Sequence, residues 1–280
     1  MKSLNRWDIK KLFPKRDRNA HKGDFGKILL LCGSRGYTGA AALAARGALR
    51  TGAGVVYLAV PESIYAIEAC KLSEAVVLPL PDQNGMYAPE AIKEIESLLP
   101  KMDAVLIGPG MGQSDGTLAV VEYVLKNSNV PVVLDADGIN VISSHKDILR
   151  DRAQATILTP HDGEFIRLSG QPLTDRELSA KTVAKDLGCI VLLKGNRTII
   201  TDGNTCYVNK TGNPGMATGG SGDVLAGVIV SLLGQGVAPV LAAAAGAWLH
   251  GAAGDVCARK IGEYGMLPQD MLLALPRLMR

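Results

Sequence analysis

The chain has 280 residues, 47% hydrophobic and 4% aromatic, with a formal net charge of +3. That length buries enough core for one α/β domain, or at most two small ones, and the charge is too small to argue for nucleic acid. The longest apolar stretch, around 237–249, contains Pro239 and falls short of the ~20 residues a membrane span needs, so a soluble chain with no membrane partner is expected.

Most of the basic excess lies in the first 24 residues: Lys2, Arg6, Lys10, Lys11, Lys15, Arg16, Arg18 and Lys22. Asp8, Asp17 and Asp24 interrupt it and it has no apolar centre, which argues against a secretory signal and against an organellar targeting peptide. Residues 1–20 are expected to be a basic N-terminal segment ahead of a single domain at 21–280. A continuous apolar run at 27–32 reads as a strand buried on both faces, followed by a glycine loop and an alanine-rich helix at 40–50. Further strands are expected at 55–60, 104–107, 131–135, 156–158 and 190–193, with helices near 116–126 and 175–187. Two short runs, 198–201 and 205–208, flank Asp202-Gly203-Asn204, which has the turn chemistry of a hairpin. Two closing helices cover 224–233 and 240–260. Alternating strands and helices with one late hairpin predict an α/β fold: a mostly parallel central sheet with helices on both faces. The five cysteines, Cys32, Cys70, Cys189, Cys206 and Cys257, show no metal-knuckle or CxxC spacing. Several fall in apolar runs, so free buried thiols and a reducing cytoplasm are expected.

The polar clusters share a position, each directly after an apolar strand: 108–112, 135–140, 159–164 and 194–195. In open α/β sheets the ligand crevice lies at the carboxyl ends of the strands, so these clusters should converge on one cleft. Into it projects Gly219-Gly220-Ser221-Gly222-Asp223, immediately before a helix-periodic apolar run. Glycines let backbone N–H groups approach a ligand, and the first turn of a helix leaves such groups unpaired, which makes an anion site. Asp223 beside a bound phosphate can act as a base; the plain alternative is a flexible loop with Asp223 as helix cap. There is no P-loop signature, and Gly33, Gly36 and Gly39 lack the two-then-three spacing of a dinucleotide fingerprint. Asp135 and Asp137 suit either Mg²⁺ held through water or satisfaction of a turn. His161 and Glu164 lack further ligands at zinc spacing. His161 reads as a cap or as a substrate hydrogen bond. Lys194, after its apolar strand, should point into the cleft. The helix around 242–245, with Trp248 and His250, reads as packing.

As a set, these motifs resemble a known family. Asn213-Pro-Gly-Met-Ala-Thr-Gly-Gly-Ser-Gly-Asp223 is similar to the anion-hole and catalytic-Asp motif of the ribokinase-like superfamily. His21-Lys-Gly-Asp-Phe-Gly26, Gly33-Ser-Arg-Gly-Tyr-Thr-Gly-Ala40, Gly108-Pro-Gly-Met-Gly112, Leu134-Asp-Ala-Asp-Gly138, Thr159-Pro-His-Asp-Gly-Glu164 and Lys194-Gly-Asn-Arg-Thr198 narrow the resemblance to the NAD(P)H-hydrate dehydratases, over about 21–275. Ser221 stands where many members have Thr.

The resemblance implies an ADP-dependent dehydratase, as is typical of bacterial members, that repairs the S epimer of hydrated NADH or NADPH; eukaryotic members typically use ATP. It implies Asp223 as the base that deprotonates the hydrate hydroxyl, and backbone N–H groups of Gly220, Ser221 and Gly222 as donors to the transferred phosphoryl group. Lys194, Gly195, Asn196, Arg197, Thr198 and Gly222 would contact the nucleotide, and Ala40, Gly112, His161 and Asp223 the hydrate. Mg²⁺ on the phosphates, with no ligands assigned, and a homotetramer are implied as well. Because the dehydratase motifs begin at His21, the partner epimerase is expected to be a separate protein. The rival enzyme is a small-alcohol kinase of the hydroxyethylthiazole or hydroxymethylpyrimidine type, and a rival of another class is a non-catalytic nucleotide sensor.

Overall fold

The computed structural model describes residues 1–150 and 152–280. In chain order the elements are α1 (Arg6–Lys11), β1 (Lys27–Leu31), α2 (Thr38–Arg50), β2 (Val55–Pro61), α3 (Glu62–Lys71), β3 (Val76–Leu80), β4 (Asp82–Gln83), β5 (Met86–Tyr87), α4 (Ile92–Leu98), β6 (Ala104–Ile107), α5 (Asp115–Asn127), β7 (Val132–Leu134), α6 (Asp137–Ile142), β8 (Thr156–Leu158), α7 (Asp162–Ser169), α8 (Arg176–Leu187), β9 (Ile190–Leu193), β10 (Ile199–Thr201), β11 (Cys206–Val208), α9 (Ser221–Gly234), α10 (Pro239–Ile261) and α11 (Pro268–Leu278). Nine strands form one sheet in the order β11-β10-β9-β8-β7-β6-β1-β2-β3, and β4 and β5 form a separate hairpin. Pairing is parallel from β3 across to β9; β10 runs antiparallel to both β9 and β11. This is the mostly parallel sheet with a late hairpin that the apolar runs predict.

Alternation along the strands divides the core in two. Ile28, Leu30 and Cys32 face the layer that holds α2, α9, α10 and α11, while Leu29 and Leu31 face the layer that holds α4, α5, α7 and α8. Such burial on both faces is why these strands read as continuous apolar runs. The hairpin β4–β5 and the edge strand β3 were not expected. β3 is half exposed and carries Pro79, which only an edge strand tolerates. Helix α10 has the length and apolar composition of a membrane span, but most of it is buried against the sheet and its neighbouring helices. Of the five free thiols, Cys70 is exposed and the other four are buried.

The basic segment at 1–20 lies against the same body. Backbone N–H of Lys2 donates to the Cys206 carbonyl at 2.8 Å, Ile9 is fully buried in the core, and the Arg16 guanidinium sits 3.6 Å from the centre of the Phe25 ring.

Helices α2 and α9 pack unusually closely. A Cβ placed on Gly227 would stand 2.1 Å from the Ala44 carbonyl oxygen, and one on Gly47 would stand 2.7 Å from that of Val224. The missing side chains let α9 lie against α2 and so set where the first turn of α9 points. Gly227→Ala is expected to lower the thermal midpoint by about 5–10 °C, because backbone must move to admit the methyl group. Gly39→Ala, whose methyl meets nothing within 4 Å, is the control and should not lower it. A differential scan of the two variants checks this.

Candidate active site

The site lies at the carboxyl ends of the parallel strands. Helix α9 begins earlier than its apolar periodicity suggests. Gly220 is its N-cap, Ser221 opens it and Asp223 lies in the first turn. The glycine loop is therefore partly helix; the Ser221 N–H, expected as a donor to a ligand, donates instead to the Thr218 carbonyl at 3.3 Å, while Gly222 N–H has no hydrogen bond among the described residues. Gly220 takes φ 91°, a left-handed conformation open to glycine, and this turns the chain from loop into helix.

Burial pushes the Asp223 carboxyl up to about 6, Asp135 adding to the rise, Lys194 opposing it and Asp137 adding again. The group is thus a carboxylate at neutral pH and a better base than an exposed aspartate.

Lys194 follows β9, and its Nζ lies 2.9 Å from Asp135 Oδ1, just after β7, and 3.8 Å from Glu164 Oε2 in the first turn of α7. Burial pulls the ammonium down, but Asp135, Glu164 and Asp223 together hold it above its ordinary value, so it stays charged. A Cβ on Gly222 would meet Lys194 Nζ at 3.5 Å and Asp135 Oδ2 at 3.9 Å. The lysine head therefore sits directly under the first turn of α9. Arg176 fixes the end of β9 by donating from Nη2 to the Lys194 carbonyl at 2.6 Å and from Nη1 to Asp162 Oδ1 at 2.5 Å.

Asp135-Ala136-Asp137 forms a strained turn, since Ala136 adopts φ 48° and ψ −119°. Gly108 presses against it: a Cβ there would lie 1.8 Å from the Asp135 carbonyl oxygen. Asp137 accepts from the Gly112 backbone N–H at 2.9 Å and from the Gln113 side chain at 3.3 Å. It thus satisfies a turn, one of its two readings, while Asp135 is an ion-pair partner. On the far side of Gly112, a Cβ would meet Met86 Sδ at 2.6 Å, so the β4–β5 hairpin overhangs this wall. Ala40, in the first turn of α2, faces Gly110 across 2.8 Å to the position of a Cβ there.

His161 is the N-cap of α7. Its Nδ1 accepts from Gly163 N–H at 3.0 Å and Glu164 N–H at 3.3 Å, which leaves the proton on Nε2, 3.4 Å from Glu164 Oε1. Glu164 returns the bond by accepting from the His161 backbone N–H at 2.9 Å. The cap reading of His161 is thus the one the structure shows, as a capping box with Glu164; the second contact of Glu164, to Lys194, was not legible.

The structure brings Gly220, Ser221, Gly222, Asp223, Lys194 and Asp135 together; Ala40 packs against Gly110, and Gly112 is held by Asp137. Gly195, Asn196 and Arg197 are exposed beyond Lys194. Thr198 turns inward on its own loop, donating to the Gly195 carbonyl at 2.9 Å. Among the described residues, no hydrogen bond joins the Asn196 or Arg197 side chain to the rest of the site. Two surface hollows, about 380 and 490 Å³, lie elsewhere, one under Thr156, Cys189 and Asn204 and one beside Glu122, Ser128 and Arg152. The first is at the opposite, amino edge of the sheet, where the strands of an α/β fold present no catalytic loops.

Fold and site together define the class: a ribokinase-like α/β protein with a glycine-started helix that carries a carboxylate in its first turn. Ribokinase from Thermotoga maritima shares that fold, with a TM-score of 0.55 at 16% identity over 90% of this chain and all of its own. The NAD(P)H-hydrate dehydratase family model matches residues 28–277, and the chain belongs to that family. It is 42% identical to the bifunctional NAD(P)H-hydrate repair enzyme of Moorella thermoacetica, over 95% of this chain and 52% of the relative. It is 37% identical to the ADP-dependent (S)-NAD(P)H-hydrate dehydratase of Neisseria meningitidis, over 90% of this chain and 83% of that one. The chain thus spans about half the length of the bifunctional relative. The ADP/ATP-dependent NAD(P)H-hydrate dehydratase from Bacillus subtilis, co-crystallised with ATP and Mg²⁺, superposes with a TM-score of 0.85 at 30% identity, covering 99% of this chain and 97% of its own.

Proposed function

We propose that this chain is an ADP-dependent dehydratase of (S)-NADH and (S)-NADPH hydrates. The observation that carries the reading is Asp223 in the first turn of α9, raised to about 6, with Lys194 beneath the same turn. Asp223 takes the proton of the hydrate hydroxyl, and the hydroxyl oxygen attacks the terminal phosphorus of the nucleotide. The bond from that phosphorus to its bridging oxygen breaks, and ADP leaves as AMP. N–H groups at the start of α9 stabilise the charge on the phosphoryl group in flight, as oxyanion donors do. The ring nitrogen then expels phosphate, and loss of a proton from the neighbouring ring carbon restores the dihydropyridine. Nucleotide contacts are assigned to Lys194, Gly195, Asn196, Arg197, Thr198 and Gly222, and hydrate contacts to Ala40, Gly112, His161 and Asp223.

Among the described residues no three His, Cys, Asp or Glu side chains are grouped to hold a metal alone. Asp135 and Glu164 flank a charged lysine, a donor set that fits Mg²⁺ carried mainly by nucleotide phosphates and touched by these carboxylates through water. Bound there, the ion would neutralise phosphate charge.

ADP as the preferred donor is supported by the Neisseria relative's name. A cytoplasmic location, supported by five unpaired cysteines, belongs to the same reading. So does a homotetramer, supported by exposed Ile261, Tyr264, Leu267 and Leu273 around the end of α10 and α11.

The test mixes the protein with hydrated NADH, Mg²⁺ and ADP or ATP, and follows the dihydronicotinamide absorbance together with free phosphate. Absorbance recovery matched by phosphate release is expected. A stable phosphoester without recovery would replace the dehydratase by a small-alcohol kinase, and no change with either nucleotide would remove both.

A further inference from the structure

The loop that leads into α9 is fastened to a single face of α10. Asn209 donates from Nδ2 to the Ala247 carbonyl at 3.1 Å, and Thr211 from Oγ1 to the Trp248 carbonyl at 3.0 Å. Gly212 N–H donates to Asp255 Oδ2 at 3.0 Å, and the Asn213 side chain to Asp255 Oδ1 at 3.2 Å. Two glycines of α10 form the seat. A Cβ on Gly251 would lie 2.3 Å from Thr211 Oγ1, and one on Gly254 would lie 2.3 Å from Met216 Sδ. Positions 247, 251, 254 and 255 recur at the three- and four-residue spacing of one helix face.

His250 lies within this stretch of α10. It is buried, and its Nε2 lies 3.3 Å from Ser221 Oγ, the residue that opens α9. Burial pulls the imidazole down to about 4, contact with the Ser221 backbone opposing and the Lys194 charge adding to the fall, so the ring is neutral at working pH. A neutral ring can share one hydrogen with the serine hydroxyl without placing a second cation under the anion site. The ring holds the serine side chain, the Ser221 backbone N–H donates to the Thr218 carbonyl at 3.3 Å, and the Gly222 and Asp223 N–H groups of the same turn, which make no hydrogen bond among the described residues, are left for the cleft. No hydrogen bond among the described residues gives His250 another partner.

We infer that His250 is a positioning residue for phosphoryl transfer, acting through the Ser221 hydroxyl, and that the α10 face from Ala247 to Asp255 is the rigid seat of the anion-hole loop. Misplacing transition-state donors by a fraction of an ångström lowers kcat far more than it weakens ground-state binding. The inference rests on the proposed reaction for its kinetic half only. Its structural half is readable by amide exchange in the full chain without turnover.

The experiment compares wild type with His250→Phe, His250→Gln, Ser221→Ala and the double variant His250→Phe/Ser221→Ala. In wild type, hydrate turnover tests the proposed reaction by itself. His250→Phe should lower kcat about 10- to 50-fold with nucleotide Kd within about threefold, and His250→Gln, which keeps a donor and an acceptor at similar reach, should restore most of it. Peptides covering 209–223 should exchange about tenfold faster in His250→Phe and Ser221→Ala, and near the wild-type rate in His250→Gln. The double variant should be no worse than the weaker single, because both cut one contact. Wild-type exchange in folded His250→Phe, or losses that multiply in the double variant, would overturn the inference. Should His250→Phe fail to fold, Ser221→Ala alone still decides, since a wild-type exchange pattern there removes the contact's role.

Discussion

Asp223→Asn should abolish most turnover while leaving the nucleotide bound. The substitution keeps the shape of the first turn of α9 and removes only the group that takes the proton. A loss of about a thousandfold in kcat is expected, the middle of the range for a positioned general base, with nucleotide Kd within about threefold. In the wild type, the carboxyl raised to about 6 must be ionised to act, so kcat/KM should climb with pH through about 6 and then level off. Stability should move the other way. A carboxyl whose pKa lies above its unfolded value of 3.8 binds its proton more tightly in the fold than out of it. It therefore subtracts stability above about pH 6 and subtracts none once the pH falls below its unfolded value. Asparagine carries no such charge, so at pH 7 the variant should melt higher than wild type, by no more than about 3 kcal/mol of stability, and the gain should vanish in acid. Equilibrium titration calorimetry with ADP, steady-state rates from pH 5 to 8 and melting curves over the same range measure all of this. Turnover within tenfold of wild type would end the assignment of Asp223 as the base.

The legible parts of this protein are those where one local rule suffices. Strands β1, β6, β7 and β9 are buried on both faces, so Lys27–Leu31, Ala104–Ile107, Val132–Leu134 and Ile190–Leu193 show as apolar runs. The polar clusters after them mark the crevice because a parallel sheet has one functional end. Strand β3 and the β4–β5 hairpin stayed hidden. One is a half-exposed edge with a proline, and the others are too short to show a period. The start of α9 was placed late because Ser221 and Gly222 are poor helix formers, and their tertiary seat against α2 and α10 overrides propensity. Within the site, Asp223 and the glycines were visible as a local motif. The ion pair between Lys194 and Asp135 joins residues 59 positions apart, and no spacing rule relates them. His250 was read as packing because it sits in an alanine-rich helix; only the fold shows its ring against Ser221.

That ion pair carries the second large effect. Lys194→Met keeps most of the side chain's length and packing but removes the cation, leaving Asp135 and Glu164 buried without it. Removing one partner of a buried pair costs about 3–5 kcal/mol, because the remaining charge has lost its compensation. For a chain of this size that is a fall of about 10–15 °C in the thermal midpoint. Lys194 also lowers the Asp223 carboxyl, against burial and the two neighbouring aspartates that raise it. Without the lysine, the rise of kcat/KM should shift from about 6 to a higher pH. Lys194→Arg keeps a charge but not the compact head that fits beneath Gly222, so it should recover stability more than rate. A purely structural lysine would give the loss of stability with an unmoved pH limb, and that pattern would take Lys194 out of the chemistry and leave it only a brace. The expected pair of shifts instead makes one ammonium responsible for two things: it ties the ends of β9 and β7 to the first turn of α7 through Asp135 and Glu164, and it sets the pH at which Asp223 can accept a proton.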